Sequence, residues 1–289
     1  MIDQSYHTMQ RVLTRWFKWI IISLTVCSVF RPTATAQVTS QEDLRKEAQN
    51  PVASVIKLPF EQDTFFSTGV YNRIPAALQA QPIIPIQVSR DWLLVPRIVA
   101  TPLAYQPDLT SKSGGTIGMG DTNPTLFLTP THAEKVVWAV GPTVLIPTAT
   151  NAALGLGKWG LGPSVVVLTQ PSWGSVDLLI HNIWSFAGDP ERASVNQMLL
   201  QYAISYDLPR GWYLTTQPSI TADWTQSKNK RWVVPFGGGA GRTFNVGKRG
   251  LDANAALYRA VVRPEGEGSP KWQLALQLTM LFPKANTGP

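Results

Sequence analysis

The sequence is poor in the side chains on which disulfides and most metal sites depend. Its 289 residues include one cysteine, three histidines and only 15% charged residues. The cysteine, Cys27, lies in an N-terminal segment that we expect to be cleaved, which excludes disulfides and cysteine-ligated metal from the mature chain. His132 and His181 would then be the remaining histidines, too few for a zinc site. The sequence therefore predicts no metal and no other cofactor.

Its N-terminal apolar run is short. Residues 19–30 are uncharged and apolar, but a transmembrane helix needs about 20 such residues. Arg11, Arg15 and Lys18 precede the run, and Ala34-Thr35-Ala36 follows it. This order predicts a secretory signal peptide over residues 1–36, whether translation starts at Met1 or Met9.

The excess of positive charge is mild once that segment is removed. The precursor carries +7, and cleavage would remove four basic residues and Asp3, leaving 21 basic and 17 acidic residues, or +4. An exported chain with so small an excess is not expected to bind nucleic acid.

A helical pattern occurs after the signal only in residues 37–50. Thr39 or Ser40 could cap the helix, and Pro51 would stop it. We interpret this segment as a short periplasmic lead-in or a plug helix, with a disordered tail as the alternative.

From residue 51 onward the polarity of the side chains alternates with period two, which is typical of strands with one polar and one apolar face. The pattern is clearest in 196–208, 212–224 and 272–282. The same reading predicts twelve strands, near 52–60, 78–89, 91–104, 117–130, 136–147, 159–170, 173–186, 195–208, 211–225, 231–244, 250–262 and 272–282.

The connections between these strands alternate in length. Short links at 89–91, 130–135, 170–173, 208–211 and 245–250 alternate with longer ones at 61–77, 105–116, 148–158, 187–194, 226–230 and 263–271. An even strand number with this alternation is typical of an outer-membrane barrel whose termini are periplasmic. The tryptophans lie near strand ends, as expected for two interfacial belts. The predicted fold is an all-β, transmembrane, antiparallel up-and-down barrel over residues 51–283, with a tail at 284–289.

Charge and proline refine this prediction. Every glutamate after the signal is expected outside the strands, and Lys57 is the only lysine expected within one, so the lumen should be narrow and neutral-polar. Prolines fall inside predicted strands and cannot donate to the ladder, so some strands must be bulged or broken. These prolines are Pro82, Pro85, Pro96, Pro102, Pro124, Pro142, Pro163, Pro218 and Pro235.

Several motifs spread over residues 50–283 occur together. They are Asn50-Pro51-Val52-Ala53-Ser54, Gln81-Pro82-Ile83-Ile84-Pro85, Gly118-x-Gly120-Asp121-x-Asn123-Pro124, Gly157-Lys158-Trp159-Gly160-x-Gly162-Pro163 and Trp184-Ser185-Phe186-Ala187-Gly188. In this combination the chain resembles the family named for the meta-pathway of phenol degradation. The resemblance implies an outer-membrane barrel that passes small compounds, aromatic ones among them, and no enzyme. It supplies no set of binding residues.

Polar residues on the inward faces are the candidate selectivity residues. Arg97 and Asp121 could form a charged constriction, or they could form an inert interior ion pair. For every candidate, the alternative is that it only solvates the interior. The candidate lumen residues are Arg97, Asp121, Asn123, Asp177, His181, Gln201, Gln217 and Asp223, together with Gln81 and Gln277.

The function expected from these patterns is that of a monomeric channel in the lipid bilayer of the outer membrane. The outer-membrane assembly machinery would insert it, and small solutes would pass by facilitated diffusion. One alternative is a structural or adhesive barrel with a blocked lumen. Another is a membrane-barrel hydrolase, which needs a serine beside a histidine. His181 and Ser185 share a face but lie roughly 13 Å apart at strand rise, so this hydrolase would need a cross-strand serine.

Overall fold

The computed structural model describes residues 41–52, 55–132, 135–247, 249–264 and 268–282. The expected signal peptide 1–36 and tail 284–289 lie outside these residues. In the part of the chain that is described, no helix is both long and apolar enough to cross a bilayer.

One short helix precedes fifteen strand segments. The helix α1 covers Gln41–Gln49. The strands are β1 (Ile56–Phe66), β2 (Ala76–Ala80), β3 (Ile86–Gln87), β4 (Trp92–Pro107), β5 (Gly115–Gly118), β6 (Thr122–Pro130), β7 (Val136–Leu145), β8 (Lys158–Thr169), β9 (Gly174–Gly188), β10 (Asn196–Asp207), β11 (Trp212–Thr216), β12 (Ser219–Asp223), β13 (Trp232–Val246), β14 (Arg249–Val262) and β15 (Trp272–Phe282).

The segments form one closed antiparallel barrel of twelve strands, as predicted. β1 pairs with β15 from Ile56↔Phe282 to Phe66↔Trp272, and this pairing closes the ring. β2 with β3, β5 with β6 and β11 with β12 are halves of single strands of the barrel. Closure satisfies the backbone of every strand within the ring and leaves no open edge.

Two of the three breaks occur at prolines, as the sequence predicts. Pro82 and Pro85 lie between β2 and β3, and Pro218 lies between β11 and β12. At the second break, groups on β13 and β14 help to fill the gap in the ladder. The Gln217 backbone N–H donates to the Tyr258 hydroxyl at 2.9 Å, and the Thr216 hydroxyl donates to the Gly237 carbonyl at 2.7 Å.

Alternation sorts the side chains into an outward and an inward set. Leu214 is 52% exposed, whereas its neighbour Tyr213 is 3% exposed. The same contrast separates Ile204 from Ala203 in β10. The outward set is rich in leucine, isoleucine and valine, which is the surface that lipid tails require.

The two ends of the barrel differ. Short connections follow β3, β6, β8, β10 and β13, and these strands end on the side where α1 is found, here called the helix end. Longer connections follow most of the remaining strands, which end on the opposite side, here called the loop end. Aromatic side chains surround both ends. Trp92 and Trp138 contact each other edge to face at the helix end, and Trp224 and Trp232 do so at the loop end.

The first strand corrects the sequence prediction. It was expected at 52–60, but β1 covers Ile56–Phe66. Glu61 therefore lies within a strand, contrary to the expectation that every glutamate lies outside, and Lys158 is a second lysine within a strand. Alternation is weak here because Gln62 and Thr64 occupy outward positions, so the pattern appeared to end early.

Candidate functional site in the barrel lumen

A hydrogen-bonded relay of three side chains runs along the lumen wall, from β4 past the end of β2 to the adjacent strand β1. The Arg97 guanidinium donates to the Gln81 amide oxygen at 2.7 Å, and the Gln81 amide nitrogen donates to the Glu61 carboxylate at 3.1 Å. Gln81 also donates to the Gln79 amide oxygen at 3.0 Å. Arg97 and Glu61 are not in direct contact. Gln81 joins them because its amide group can accept one hydrogen bond and donate another at the same time.

Further charges face this relay. Arg97 lies within Coulombic range of Asp177 as well as of Glu61, although Asp177 projects from β9 on a distant part of the ring. Lys57 on β1 is within range of Asp177 and Asp252. The lumen is therefore narrow, and its middle is charged rather than neutral-polar, which corrects the sequence prediction.

A second polar network lines the wall formed by β11, β13, β14 and β15. The Asp252 carboxylate accepts from the Tyr213 and Thr243 hydroxyls, each at 2.8 Å. Next along the wall, the Asn254 amide donates to the Gln277 amide oxygen at 2.8 Å. Because each of these groups has a partner, this wall is ordered before any solute arrives.

The helix α1 is anchored to the barrel at its helix end. The Arg45 guanidinium forms a salt bridge of 2.8 Å with Asp207 at the end of β10, and the Gln170 amide donates to the Lys46 carbonyl at 2.8 Å. Leu44 is buried against Gly250 of β14, and it occupies the space that a larger side chain at position 250 would fill. These contacts come from well-separated strand ends, so α1 lies across this opening.

Lys57 holds the C-terminal end of the same helix. Its ammonium group donates to the carbonyls of Glu47 at 3.3 Å, Ala48 at 3.1 Å and Asn50. The last carbonyls of a helix have no partner within it and carry partial negative charge, so a cation is favoured there. One side chain of the barrel wall thus neutralises the end of α1.

An apolar cluster fills the lumen beside α1. Its members face inward from β4, β6, β7, β8 and β9, and Val95, Phe127 and Val166 are fully buried. Val52, just after α1, packs into the same cluster. The sequence prediction placed apolar side chains outside and polar ones inside, and this wall contradicts it. The reason is that the N-terminal segment excludes water from this part of the lumen, and a dry interior favours apolar contacts.

The predicted pair of Arg97 and Asp121 is wrong. The Asp121 carboxylate accepts from the backbone N–H groups of Ala149 at 3.1 Å and Leu156 at 2.6 Å, so it anchors the loop 146–157 at the loop end. Arg192 holds the same loop through the carbonyls of Leu156 and Gly155. A cavity of about 200 Å³ lies between this loop and the connection that carries Arg192.

The other predicted residues have distinct local partners. Asn123 donates to the Val144 carbonyl at 2.6 Å, and Gln201 donates to the Ser219 hydroxyl at 3.2 Å. Asp223 accepts from the backbone and hydroxyl of Thr225, which places it in a turn at the loop end rather than in the lumen network. Gln217 has an exposed side chain. Of the predicted set, Arg97, Gln81, Asp177 and His181 lie in the charged middle of the lumen.

The serine that a hydrolase would need lies opposite His181. Ser164 is its cross-strand partner, but the buried Ser164 hydroxyl has no hydrogen-bond partner and so does not contact the imidazole. Both residues face the lumen, not the lipid. Nothing in this arrangement activates the serine as a nucleophile.

Glu61, Asp63 and Asp252 are lumen residues that the sequence analysis missed. Glu61 and Asp63 were assigned to a loop because β1 was placed too early. Asp252 occupies an inward position of β14, so its period-two position could have identified it. Its partners Tyr213 and Thr243 come from two other strands, and a pattern within one strand cannot reveal them.

No protein-family model and no curated sequence matches the chain. Among solved structures, it is similar to the COG4313 outer membrane channel from Pseudomonas putida F1, with 17% identity and a TM-score of 0.60 over 88% of this chain and 100% of that one. The NanC porin follows at 10% identity and a TM-score of 0.46, over 79% and 100%. A third structure, the CymD monoaromatic hydrocarbon channel, has 10% identity and a TM-score of 0.43, over 87% and 95%. The first of these likenesses shows that the chain shares the fold of an outer-membrane barrel.

Proposed function

We propose that this chain is an outer-membrane channel for small solutes and that α1 is its gate at the periplasmic end. In this assignment the helix end faces the periplasm and the loop end faces outward. Passage is by facilitated diffusion along the charged middle of the lumen. The resemblance to the phenol-degradation meta-pathway family adds aromatic compounds to the candidate solutes.

The observation that carries this proposal is the retention of charge inside the barrel. Asp177 is 8% exposed and forms no direct ion pair in the described part of the chain, and Arg97 is joined to Glu61 only through Gln81. Removing an ion from water costs several kcal/mol, roughly, unless it is well paired. A barrel that served only as a scaffold would be more stable with apolar residues at these positions. In a channel, these buried charges would line the path along which hydrated solutes pass.

The second observation is that α1 is held mainly by polar contacts at its ends, beside the one apolar contact of Leu44 with β14. Its salt bridge and its carbonyl contacts can be replaced by water when the helix leaves. The apolar wall from Val95 to Leu179 stays with the barrel, because it belongs to the strands. The gate is therefore a segment of chain, and the selectivity residues stay in place when it opens.

A crosslink can test the gate directly. Leu44→Cys and Gly250→Cys would join α1 to β14 in a chain whose native cysteine lies in the expected signal peptide. In a planar bilayer, the oxidised protein should be silent, and reduction should restore discrete current steps. Equal currents in both states would show that α1 is not the gate. Each single-cysteine variant controls for effects of the substitutions.

A structural barrel with a blocked lumen is the second candidate. The apolar cluster around Phe127 favours it, since a dry core of this kind stabilises a filled interior. A refolded protein that shows no current when reduced, and none when α1 is weakened by substitution, would support this candidate and would exclude the channel.

A further inference from the structure

A group of cations lies on the lipid-facing side of the loop end. The Arg231 guanidinium lies 5.2 Å from the Trp224 ring centroid, and Arg259 lies 5.6 Å from that of Trp272. Arg259 is also the cross-strand neighbour of Phe236, which is 69% exposed. Outward-facing aromatic rings therefore support both guanidinium groups at the edge of the apolar surface.

The connections nearby add charge of the same sign. Six cations and no carboxylate occur within the described stretches 224–232, 257–264 and 268–272, and the adjacent Asp223 carboxylate accepts from Thr225 within its own turn. Glu265 and Glu267 lie outside the described residues. We call the six residues the basic edge. They are Lys228, Lys230, Arg231, Arg259, Arg263 and Lys271.

The protein leaves part of the hydrogen-bonding capacity of the basic edge unused. Arg231 donates to the Gln226 carbonyl at 3.2 Å through one terminal nitrogen, Nη2. Arg263 donates to the Ser269 carbonyl at 3.1 Å. A guanidinium has five N–H donors, and pairs of them match the oxygens of a phosphate group. Each arginine thus remains able to bind an anion.

The location of the basic edge indicates which kind of anion it binds. It lies beside exposed tryptophans, at the height where the headgroups of the outer leaflet begin. Lipid A, the major lipid of that leaflet, carries phosphate groups on a sugar headgroup above several acyl chains. Its phosphates would meet the cations while its chains cover Phe236 and Trp272. A freely diffusing anion would use only the charge and not the aromatic surface.

We propose that the basic edge is a binding site for the phosphate groups of lipid A. This inference goes beyond solute passage, but it depends on the outer-membrane location included in the proposed function. A barrel held by such contacts would have a fixed height and an ordered lipid annulus beside β12 to β15.

The matched control lies at the opposite end of the barrel. Arg242 lies 5.5 Å from the Trp212 ring centroid, so it has the same cation–aromatic geometry at the helix end. Arg242→Gln removes an outward arginine without touching the basic edge. The test variant is Arg231→Gln with Arg259→Gln, which keeps polar side chains while removing both charges.

The experiment titrates the refolded protein in detergent micelles with diphosphoryl lipid A and, separately, with lipid A from which the phosphates have been removed. Native mass spectrometry counts the bound lipids. We expect phosphate removal, or the double substitution, to weaken binding about tenfold, and Arg242→Gln to leave it unchanged. Equal binding of both lipids, or an equal loss in the Arg242 variant, would overturn the proposal. Excess inorganic phosphate at constant ionic strength should compete weakly; full competition by phosphate would show a general anion site instead.

Two controls keep the result interpretable. Heat-dependent migration on gels confirms that each variant is folded. Current measurements on the same samples test the proposed channel separately. A protein that conducts but does not bind lipid A would overturn only this inference, whereas a protein that binds lipid A but does not conduct would overturn only the proposed function.

Discussion

The Lys57 ammonium lies 3.1 Å from the Ala48 carbonyl, so the first strand of the barrel directly holds the C-terminal end of α1. This contact joins the barrel wall to the proposed gate. It also makes the position of α1 sensitive to a single side chain.

Lys57→Met should favour the open channel. The substitution keeps the length of the side chain but removes the donor to three carbonyls. Hydrogen bonds from a charged group contribute about 1.5–3 kcal/mol each, so we expect at least a tenfold rise in the open fraction. Single-channel recording measures it. Lys158→Met, at the loop end, is the control, and an equal rise there would contradict the prediction.

Reversal of the charges at Arg45 and Asp207 tests independently whether this salt bridge holds α1 in place. Arg45→Asp places two carboxylates together and should release α1, which increases the accessibility of residues 41–52 to protease. The double variant Arg45→Asp with Asp207→Arg should restore protection, because it restores an ion pair. Both side chains are about one-eighth exposed, at 12% and 14%, so the recovery should be partial but clear. Failure of the double variant to recover any protection would show that the salt bridge does not hold the helix.

Arg97 should set the charge preference of the open channel. Arg97→Gln removes the positive charge that faces Glu61 and Asp177, leaving the lumen more negative. We expect the reversal potential in a potassium chloride gradient to move toward cation selectivity. Arg242→Gln, on the outer surface, should not move it. An unchanged reversal potential in the Arg97 variant would mean that ions do not pass this residue.

Asp121 should stabilise the loop 146–157 and leave selectivity unaltered. Asp121→Ala removes the acceptor for two backbone N–H groups, so the loop should open more often. Because loss of each hydrogen bond to a charged group costs about 1.5–3 kcal/mol, cleavage by a broad-specificity protease should accelerate at least tenfold. Asp108→Ala is the matched control, because Asp108 accepts from residues of its own connection, Thr110 and Ser111, and not from the loop 146–157. Equal cleavage rates in the two variants would contradict this role.

The difference between Asp121 and Arg97 illustrates what the sequence could predict about the site. Both residues were recognised as polar groups at inward positions, and both are at such positions. Their partners were not recognisable, since Gln81 reaches Arg97 from the neighbouring strand and the loop reaches Asp121 from 28 residues further along the chain. Glu61 was missed for a local reason, because polar outward residues weaken the alternation in β1.

By itself the sequence determined the barrel: alternating polarity forces one face of each strand toward lipid and the other inward, and twelve such strands with alternating connections can satisfy their backbones only by closing. Only the tertiary structure decided what fills the lumen. Closure brings Lys57 within Coulombic range of both Asp177 and Asp252, and it places α1 over the opening where its carbonyls meet Lys57. Those contacts depend on the diameter and register of the closed barrel, which no single strand encodes.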